Sequence, residues 1–530
     1  IASRVEDQSR RDPVRELLGP DEVPPPDLRR VEPELRSREI REPLDQKAVE
    51  LLRHATDVVR VAALDYLGTT GTRLHADAVG LLLDDPSADV RASATLALCA
   101  LRREEAFGRI HHMLEDPDAK VRAHAVAGLI RHGGLDGILA CAELLRRMLA
   151  SAIDKERELA AWVLGEIGVQ HFYQPLVPLL ADRSEAVRLA AIVAAGHLKS
   201  PDLVPHLVVQ LAHPRLGSAA VQALIAYGPS ILDTAAALLA DSEQSLRVRA
   251  QVPKILARLS LPASGEILCR HLNDADTEVR AAAVHALTAL RGRVPALPLD
   301  LAQVALAIRA EARNYVELLA LAADLGLDER APLLHDAIQH RLAQTQGRLL
   351  ALLSLKYPGE TIDLVTRNLK SSQMSIRANA VEVADNLIDK QERVLVLPLI
   401  DNTLPPDAKL SAGSAVLPVK RSDRLARLRE LLASRDEWLR VAAAVAAGEW
   451  QVQSLVPALA ELVSAKTPLA RETAIVVLRQ LADGDALREA VTPLTDDPDP
   501  SVRRYAEHAL AEASKRPSGP RAEKRPRAGR

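Results

Sequence analysis

The residues best suited to metal binding or acid–base catalysis are the fifteen histidines, and their spacing fits neither role. His111 and His112 are adjacent, so they point in different directions on a helix, and His335 and His340 are five apart and also poorly aligned. The sequence contains no HExxH motif and no His-Glu dipeptide, the pattern in which zinc hydrolases hold their metal. The histidines therefore predict no metal site.

Motifs that bind phosphate or activate a nucleophile are also missing from the sequence. It has no Walker A loop, no glycine-rich dinucleotide turn and no GxSxG elbow. Gly133 and Gly134 follow no strand pattern and are interpreted as the end of a helix. The acids at 496, 497 and 499 lack the spacing and the final glutamate of a calcium loop, so a capped turn explains them. We predict a protein without catalytic residues, cofactor or metal.

The composition favours close-packed helices. Hydrophobic residues make up 48% of the chain and aromatic residues only 2%, so the core must consist mainly of Ala, Leu and Val. The formal charge of −3 excludes a whole-chain attraction for nucleic acid, and no sequence-specific nucleic-acid partner is predicted. Neither a signal peptide nor a membrane-spanning segment is predicted. Cys99, Cys141 and Cys269 form no CxxC pair and are predicted to be buried thiols in a reducing compartment.

A short motif, in which Asp-Pro is followed by Val-Arg and then Ala, recurs at residues 85–94, 116–125 and 497–506. Its arginine position can be followed through the chain with a mean step of about 32 residues, which is typical of stacked repeats. The positions are Arg60, Arg91, Arg122, Arg157, Arg188, Gly217, Arg247, Arg280, Arg313, Arg348, Arg377, Lys409, Arg440, Arg471 and Arg503.

The residues around this position predict a helix that begins just before it. Three residues later stands Ala in every repeat except the one with Val316, and apolar residues are common one before and seven after, all on one helical face. Four residues before the position, eight repeats have a residue type that caps helices. These are Thr56, Ser87, Asp118, Ser184, Asp276, Asp436, Thr467 and Asp499. Each repeat is therefore predicted to be a helical hairpin whose second helix contains the arginine.

These patterns predict an all-α fold, a right-handed α-solenoid or superhelix of about fifteen helical hairpins over residues 46–514. Residues 1–45 are rich in proline and charge and are predicted to be a linker or an extended N-terminal segment. Residues 515–530 contain many Lys and Arg and one acid, Glu523, and are predicted to be a disordered basic tail. Contact of this tail with anionic lipid is the alternative.

The repeat motif resembles HEAT repeats, specifically the short bacterial type, over nearly the whole ordered chain. The resemblance implies a ladder of Arg and Asp hydrogen bonds between neighbouring repeats, with a ligand-binding basic stripe as the lesser alternative. The implied ladder contains Arg60, Arg91, Arg122, Arg188, Arg247, Arg280, Arg377, Arg440, Arg471 and Arg503, with Asp85, Asp116, Asp182, Asp241, Asp274 and Asp497. Gly217 and Lys409 depart from the pattern, which puts the ladder in doubt at those two repeats.

Segments 133–139 and 156–166, and Tyr357 with segments 376–388 and 397–401, are similar to the soluble HEAT region of bacterial transporter-like proteins related to ATP/ADP translocases of the major facilitator type. This narrower resemblance implies a cytoplasmic regulatory domain at the inner membrane, with an attached or associated membrane transporter as its partner. A free-standing cytosolic adaptor is one alternative. A HEAT-like bilin-lyase-type enzyme is another, although it needs a cleft with aromatic and acidic residues. HEAT-repeat iron hydroxylases depend on His-Glu dipeptides and are disfavoured.

The function predicted from these observations is a non-catalytic scaffold that holds a protein partner on its concave surface. The few aromatic residues are either core residues or anchors for that partner, and the sequence leaves both interpretations open. The candidate anchors among them are Trp162, Phe172, Tyr173, Trp438 and Trp450.

Overall fold

The computed structural model describes residues 43–513, which are helical throughout apart from turns and connections and contain no strand. The predicted linker at 1–45 and the predicted basic tail at 515–530 lie almost entirely or entirely outside the described residues. The chain divides into two compact units, Ile1–Leu259 and Ser260–Arg530, which are described separately below as unit 1 and unit 2.

Unit 1 is a stack of helical hairpins, and in most of them a short first helix, often continued by a 3₁₀ turn, precedes a longer second helix. The second helices α2, α4, α6, α8, α10 and α12 pack side by side in sequence order. The helices of unit 1 are α1 (43–51), α2 (Asp57–Thr70), α3 (Ala76–Gly80), α4 (Ala88–Arg102), α5 (Phe107–Ile110), α6 (Ala119–His132), α7 (Gly134–Leu149), α8 (Asp154–Ile167), α9 (Leu176–Leu180), α10 (Glu185–Leu198), α11 (Val204–Leu211), α12 (Gly217–Ala226), α13 (Leu232–Ala240), α14 (Leu246–Arg249) and α15 (Val252–Leu259).

The second helices begin where the sequence predicts, with the eight predicted capping residues standing directly before them. The aspartates cap through their side chains: Asp118 and Asp276, for example, accept from the backbone amides of Lys120 and Glu278. The serines and threonines make no such bond. In several turns an earlier aspartate accepts from the backbone amide of the capping residue, as Asp182 does from Ser184.

The core of unit 1 lies between neighbouring second helices. The alanine three residues after the arginine position is fully buried at Ala63, Ala94, Ala125, Ala160, Ala191 and Ala220. A second close-packed position was not singled out in the sequence. A Cβ on Gly68, Gly165 or Gly196 would come within 2.9–3.1 Å of the Cα of an alanine on the next second helix. Only small residues at these positions allow the helices to approach this closely.

Unit 2 contains two helices of 25 residues, α18 and α19, which pack against each other as a long hairpin. The helices of unit 2 are α16 (Pro262–Arg270), α17 (Thr277–Arg293), α18 (Leu301–Leu325), α19 (Pro332–Lys356), α20 (Gly359–Asn368), α21 (Met374–Leu387), α22 (Lys390–Ile400), α23 (Pro406–Val416), α24 (Arg424–Leu432), α25 (Glu437–Glu449), α26 (Val456–Glu461), α27 (Pro468–Leu481), α28 (Gly484–Val491) and α29 (Pro500–Ala513).

The second helices of unit 2 do not stack in sequence order. Helix α19 packs against α17 on one side and against α25 on the other, and α25, α27 and α29 then follow one another. The four helices α20–α23 leave this series, and α22 and α23 pack against α18 instead. The expectation of one uninterrupted array is therefore not met between residues 359 and 416.

A close approach between Gly413 and Val316 accompanies this departure. A Cβ on Gly413 would lie 2.5 Å from a side-chain carbon of Val316, the valine that replaces the usual alanine. Helix α23 can therefore pack on α18 only because residue 413 has no side chain.

Within the described residues no single helix has the length and hydropathy of a membrane span. One pair, Gly217–Ala226 with Gly228–Ala240, meets the criteria of length and composition but is bent by 120°.

Candidate functional site

The arginines of the predicted ladder share one contact within their own repeat. The Nη1 group donates to the carbonyl oxygens six and five residues earlier, in the turn before the helix, over N···O distances of 2.6–3.3 Å. This arrangement occurs at Arg60, Arg91, Arg122, Arg188, Arg280, Arg377, Arg471 and Arg503. Each of these side chains therefore closes its own interhelical turn.

Three of the predicted pairs also join neighbouring repeats. Arg91 donates to Asp116 through Nε and Nη2 at 2.9 and 3.1 Å, and Arg60 donates to Asp85 at 3.0 Å. In unit 2, Arg471 makes the same bidentate contact with Asp497 at 2.7 Å for both bonds. Hydrogen bonds from Arg471 hold the pKa of Asp497 below its usual range.

The predicted ladder set omits one arginine that the structure places in it. Arg157, one of the repeat positions, donates to Asp182 through Nε and Nη2 at 2.7 and 2.9 Å, and these bonds lower the pKa of Asp182. The signal was available, since Asp182 follows Arg157 by 25 residues, as Asp116 follows Arg91.

Other predicted ladder members have different partners. Arg122 donates to Glu156 at 3.4 Å, Arg188 reaches the ring of His213 at 3.5 Å, and Arg280 lies 3.6 Å from Glu311. At these positions the arginine still contacts the next repeat, but over a longer distance and with a different partner residue.

Two predicted residues do not occupy ladder positions in unit 1. The side chain of Arg247 is exposed, and Arg249 instead donates to the carbonyl of Leu239, because α14 is a single short turn that presents the later arginine inward. Asp241 is exposed and accepts from the amide of Glu243. Asp274, in unit 2, accepts from the amide of Asp276 and lies 3.1 Å from His271.

The ladder weakens where the acid is replaced. The Nε atoms of Arg377 and Arg440 are buried and have no hydrogen-bond partner in the described chain, and the positions 25 residues later are Asn402 and Ala465. Lys409 is buried and donates to the carbonyl of Leu399 at 3.2 Å. Burial lowers the pKa of this lysine.

A groove of about 740 Å³ crosses the second helices α2, α4, α6 and α8 of unit 1. Its lining residues lie two, five and nine positions after the arginine on several of these helices, a face different from the buried alanine face. Ser93, Leu96, His124 and Trp162 contribute to it, and we call it the unit 1 groove.

An aromatic pair is the most distinctive part of the unit 1 groove. The rings of His124 and Trp162 stack at a centroid distance of 4.2 Å and an angle of 22°. His124 is 8% exposed, and burial lowers its pKa to about 4, so it is neutral at pH 7. Because the carbonyl of Lys120 can only accept, Nδ1 of His124 donates to it at 2.8 Å, which leaves Nε2 as an acceptor.

Charged pairs lie beside the aromatic pair in the unit 1 groove. Arg131 donates to Glu166 on the next helix at 2.9 Å, and Lys120 donates to Asp89 on the previous one. These side chains are one quarter to three fifths exposed, so their interactions are weak and open to exchange with an external partner.

The predicted anchor residues are not brought together. Trp162 lines the unit 1 groove, Tyr173 packs on the core, and Phe172 is 46% exposed. In unit 2, Trp438 is 43% exposed, whereas the indole of Trp450 donates to Asp328 and lies under Arg424 at 4.5 Å. Trp450 is thus held by intramolecular contacts, and Trp162 is the anchor that lines a groove.

The groups able to do chemistry elsewhere are dispersed or inert. Among residues 43–513 no group of three or more His, Cys, Asp or Glu could hold a metal ion. All three cysteines are buried, as predicted, and burial raises the pKa of Cys99 and Cys141 to about 12. These thiols are not activated nucleophiles.

The stacked hairpins and their turn-closing arginines define a helical solenoid. A family model of HEAT repeats matches residues 45–129, 76–157, 141–225 and 425–511, together just over half of the chain. The chain belongs to the HEAT-repeat family. The predictions of an all-α solenoid and of HEAT repeats are confirmed. A comparison with curated proteins gave no match.

Several solved structures are similar to this chain. The karyopherin Kap121p, bound to the extreme C-terminus of the protein phosphatase Cdc14p, is 14% identical, covers 90% of this chain and 57% of its own, and has a TM-score of 0.29. Human deoxyhypusine hydroxylase is 17% identical over 48% of this chain and 99% of its own, with a TM-score of 0.24. The CpcE–CpcF complex of phycocyanin lyase from Nostoc sp. is 20% identical over 46% of this chain and 86% of that chain, with a TM-score of 0.22. At these identities the likeness concerns the fold alone.

Proposed function

We propose that this protein is a non-catalytic scaffold and that the unit 1 groove binds a peptide segment of a protein partner. The observation that supports this most is the half-buried Trp162, stacked on His124 within an open groove. Aromatic residues held rigidly in such positions are typical binding hot spots, because they bury a large area with little loss of side-chain entropy.

The surroundings of Trp162 suit a peptide with both apolar and polar groups. Leu189 and Val193 on α10 are 42% and 48% exposed, and Ala190 of the same helix lines the unit 1 groove. Within the groove, Nε2 of His124 can accept a hydrogen bond, and the exposed pairs Arg131–Glu166 and Lys120–Asp89 can exchange partners with charged side chains. A partner would therefore place an apolar side chain against Trp162 and polar groups along the sides.

A peptide selection with a matched tryptophan variant tests this proposal. Peptides would be selected from a random display library on the full chain, and the affinity of the best peptide measured by isothermal titration calorimetry. Trp162→Ala is expected to weaken binding by about tenfold or more, which corresponds to removal of an interface hot spot. Trp438→Ala removes a more exposed tryptophan from unit 2 and should leave the affinity unchanged. Equal losses from both variants, or none from Trp162→Ala, would contradict the proposal.

A narrower proposal concerns the partner and the location. The similarity of segments 133–139, 156–166, 376–388 and 397–401, together with Tyr357, to the HEAT region of transporter-like proteins supports a cytoplasmic module at the inner membrane, attached to or associated with a membrane transporter. The basic residues at 515–530 would then touch anionic lipid. The alternative is a free-standing cytosolic adaptor. The genomic reading frame upstream of Ile1 decides between them: an open frame encoding membrane spans supports attachment, and a stop codon directly upstream contradicts it.

A further inference from the structure

A second cavity, of about 880 Å³, lies within unit 2 where the chain returns from the helices α20–α23. Helices α18 and α19 and the start of α17 form one side, and residues 419–439 cross over to form the other. This volume lies within the range of small-molecule pockets. The cavity exists because α19 packs on α25 rather than on α21, and we call it the unit 2 cavity.

The inner side of the unit 2 cavity carries more positive than negative charge. Glu311 is 3% exposed and serves two arginines: Arg348 donates to its Oε2 at 3.1 Å, and Nε of Arg280 lies 3.6 Å from its Oε1. Both arginines line the cavity. In the regular ladder of unit 1 each of these arginines would have its own aspartate. The buried Arg348 and the partly buried Arg280 share one carboxylate, which leaves one positive charge without a counter-charge of its own in a medium of reduced dielectric constant.

Hydrogen-bond donors without a partner line the same cavity. Among residues 43–513, Nη1 of Arg348 and the side-chain amide of Asn314 make no hydrogen bond, and Lys420 also lines the cavity but has an exposed, solvated side chain. The acids that line the cavity compensate this poorly. Glu317 and Glu430 are exposed, so water screens their charges, and Asp436 is paired with Arg341 at 2.7 Å.

Apolar side chains complete the lining of the unit 2 cavity. Leu321, Leu431 and Leu439 are less than a tenth exposed and line the cavity together with Leu318 and Val419. A ligand would therefore meet donors at the inner side and an apolar wall beside them, which is the arrangement that binds amphiphilic anions.

We propose that the unit 2 cavity binds a small organic anion, whose carboxylate or phosphate is held by Arg348 and Arg280 and whose apolar part lies against Leu321 and Leu439. This site is separate from the unit 1 groove and does not depend on peptide binding there. Arg348 supplies its unpaired Nη1, and the shared Glu311 keeps the two guanidinium groups in place.

Calorimetric titration of the full chain with three probes tests the proposal. Benzoate and phenyl phosphate carry the two anionic groups, and benzamide is the neutral analogue of benzoate. At least one of the anions should bind with a dissociation constant below about 10 mM, and benzamide should bind about tenfold more weakly than benzoate, or weaker still. The tighter of the two anions identifies the preferred group. The proposal is overturned if neither anion binds in that range or if benzamide binds as well as benzoate.

Two variants locate the binding in the unit 2 cavity. Ala426→Glu places a carboxylate on the cavity lining and should abolish anion binding, whereas Gln339→Glu adds the same charge at an exposed position of α19 and should not. Glu311→Gln removes the internal carboxylate and should tighten anion binding by about tenfold, a gain that a purely structural role of Glu311 would not produce. Unchanged anion binding in the Ala426→Glu protein would overturn the proposal even if Glu311→Gln fails to fold.

Discussion

Helices α4–α10 of unit 1 and helices α20–α23 of unit 2 carry the same repeat signals, yet they pack differently. In unit 1, arginine–aspartate pairs such as Arg91–Asp116 and Arg157–Asp182 join three of the second helices, α2, α4 and α8, to the next repeat, and α2, α8 and α10 have a glycine at the point of closest approach. In unit 2, Arg377 closes its own turn but has Asn402 at the ladder position, and α21 buries only Ala380 and Ala384.

This difference separates two roles of the repeat arginine. The contact with the turn carbonyls recurs in both regions, so it belongs to the folding of a single hairpin. The contact with the next repeat's aspartate occurs where the second helices stack in order. The aspartate is not required for this stacking, since α25 packs on α27 although Arg440 has Ala465 at the ladder position. The following predictions are ordered from the largest expected effect to the smallest.

A charge at the close-packed alanine of unit 1 should have the largest effect. Ala160 is fully buried between second helices, so Ala160→Asp places an unpaired carboxylate there and should lower the free energy of unfolding by about 4 kcal/mol or more. Urea unfolding followed by circular dichroism measures this loss. Ala378→Asp, on an exposed position of α21, should change it by no more than about 0.5 kcal/mol. Similar losses in both proteins would contradict the assigned register.

Removal of a ladder acid should have the next largest effect. Asp116→Ala leaves Arg91, whose side chain is 16% exposed, without its bidentate partner and should lower the free energy of unfolding by about 2 kcal/mol. Asp241→Ala removes an aspartate from the same position of another repeat, where it is exposed, and should cost less than about 0.5 kcal/mol. The same urea titration compares them, and equal costs would show that the cross-repeat pair adds no stability.

The third prediction compares two helical glycines. Gly165→Ala would place a Cβ 2.9 Å from the Cα of Ala194 and should destabilise the protein by about 1–3 kcal/mol. Gly347→Ala, in the long helix α19, meets no atom within 4 Å and should stabilise the protein by about 0.5–1 kcal/mol through helix propensity. Thermal unfolding should shift in opposite directions, and a rise in Tm for Gly165→Ala would exclude the close approach.

The smallest effect should appear in the pH dependence of stability. The bonds from Arg157 lower the pKa of Asp182 in the folded state, so the pair stabilises the fold above the unfolded pKa of about 3.9 and loses this contribution as pH falls through the folded pKa. The difference in free energy of unfolding between the wild type and Asp182→Asn should therefore shrink below about pH 4. A difference that stays constant from neutral pH to that range would contradict an ionic contribution of Asp182.

The fold of unit 1 could be predicted from the sequence because its signals are local and repeated. The capping aspartates, the buried alanines and the arginines each act within one hairpin or between sequence neighbours. The packing of α20–α23 could not be predicted. Arg377 and Ala380 keep the repeat pattern, but contacts between residues far apart in the sequence determine which helices pack together. The contact between Gly413 and Val316 joins residues almost a hundred positions apart, and no repeat pattern predicts it.

Part of the unit 1 groove could be predicted from the sequence. His124 and Trp162 stand two and five residues after the arginines of adjacent repeats, so an alignment of the repeats places them on one face of neighbouring helices. Their stacking depends on side-chain rotamers, which the repeat pattern does not determine. The unit 2 cavity could not be predicted from the sequence, because it depends on the packing of α19 on α25, two helices that are far apart in the chain.

Hydrogen exchange measured by mass spectrometry tests the central claim, that laddered helices form a cooperative stack from which α21 is excluded. Backbone amides of α6 and α8 should exchange slowly and at similar rates, and those of α21 should exchange markedly faster because the helix buries only two residues. Protection of residues 374–387 equal to that of residues 119–132 and 154–167 would contradict the account.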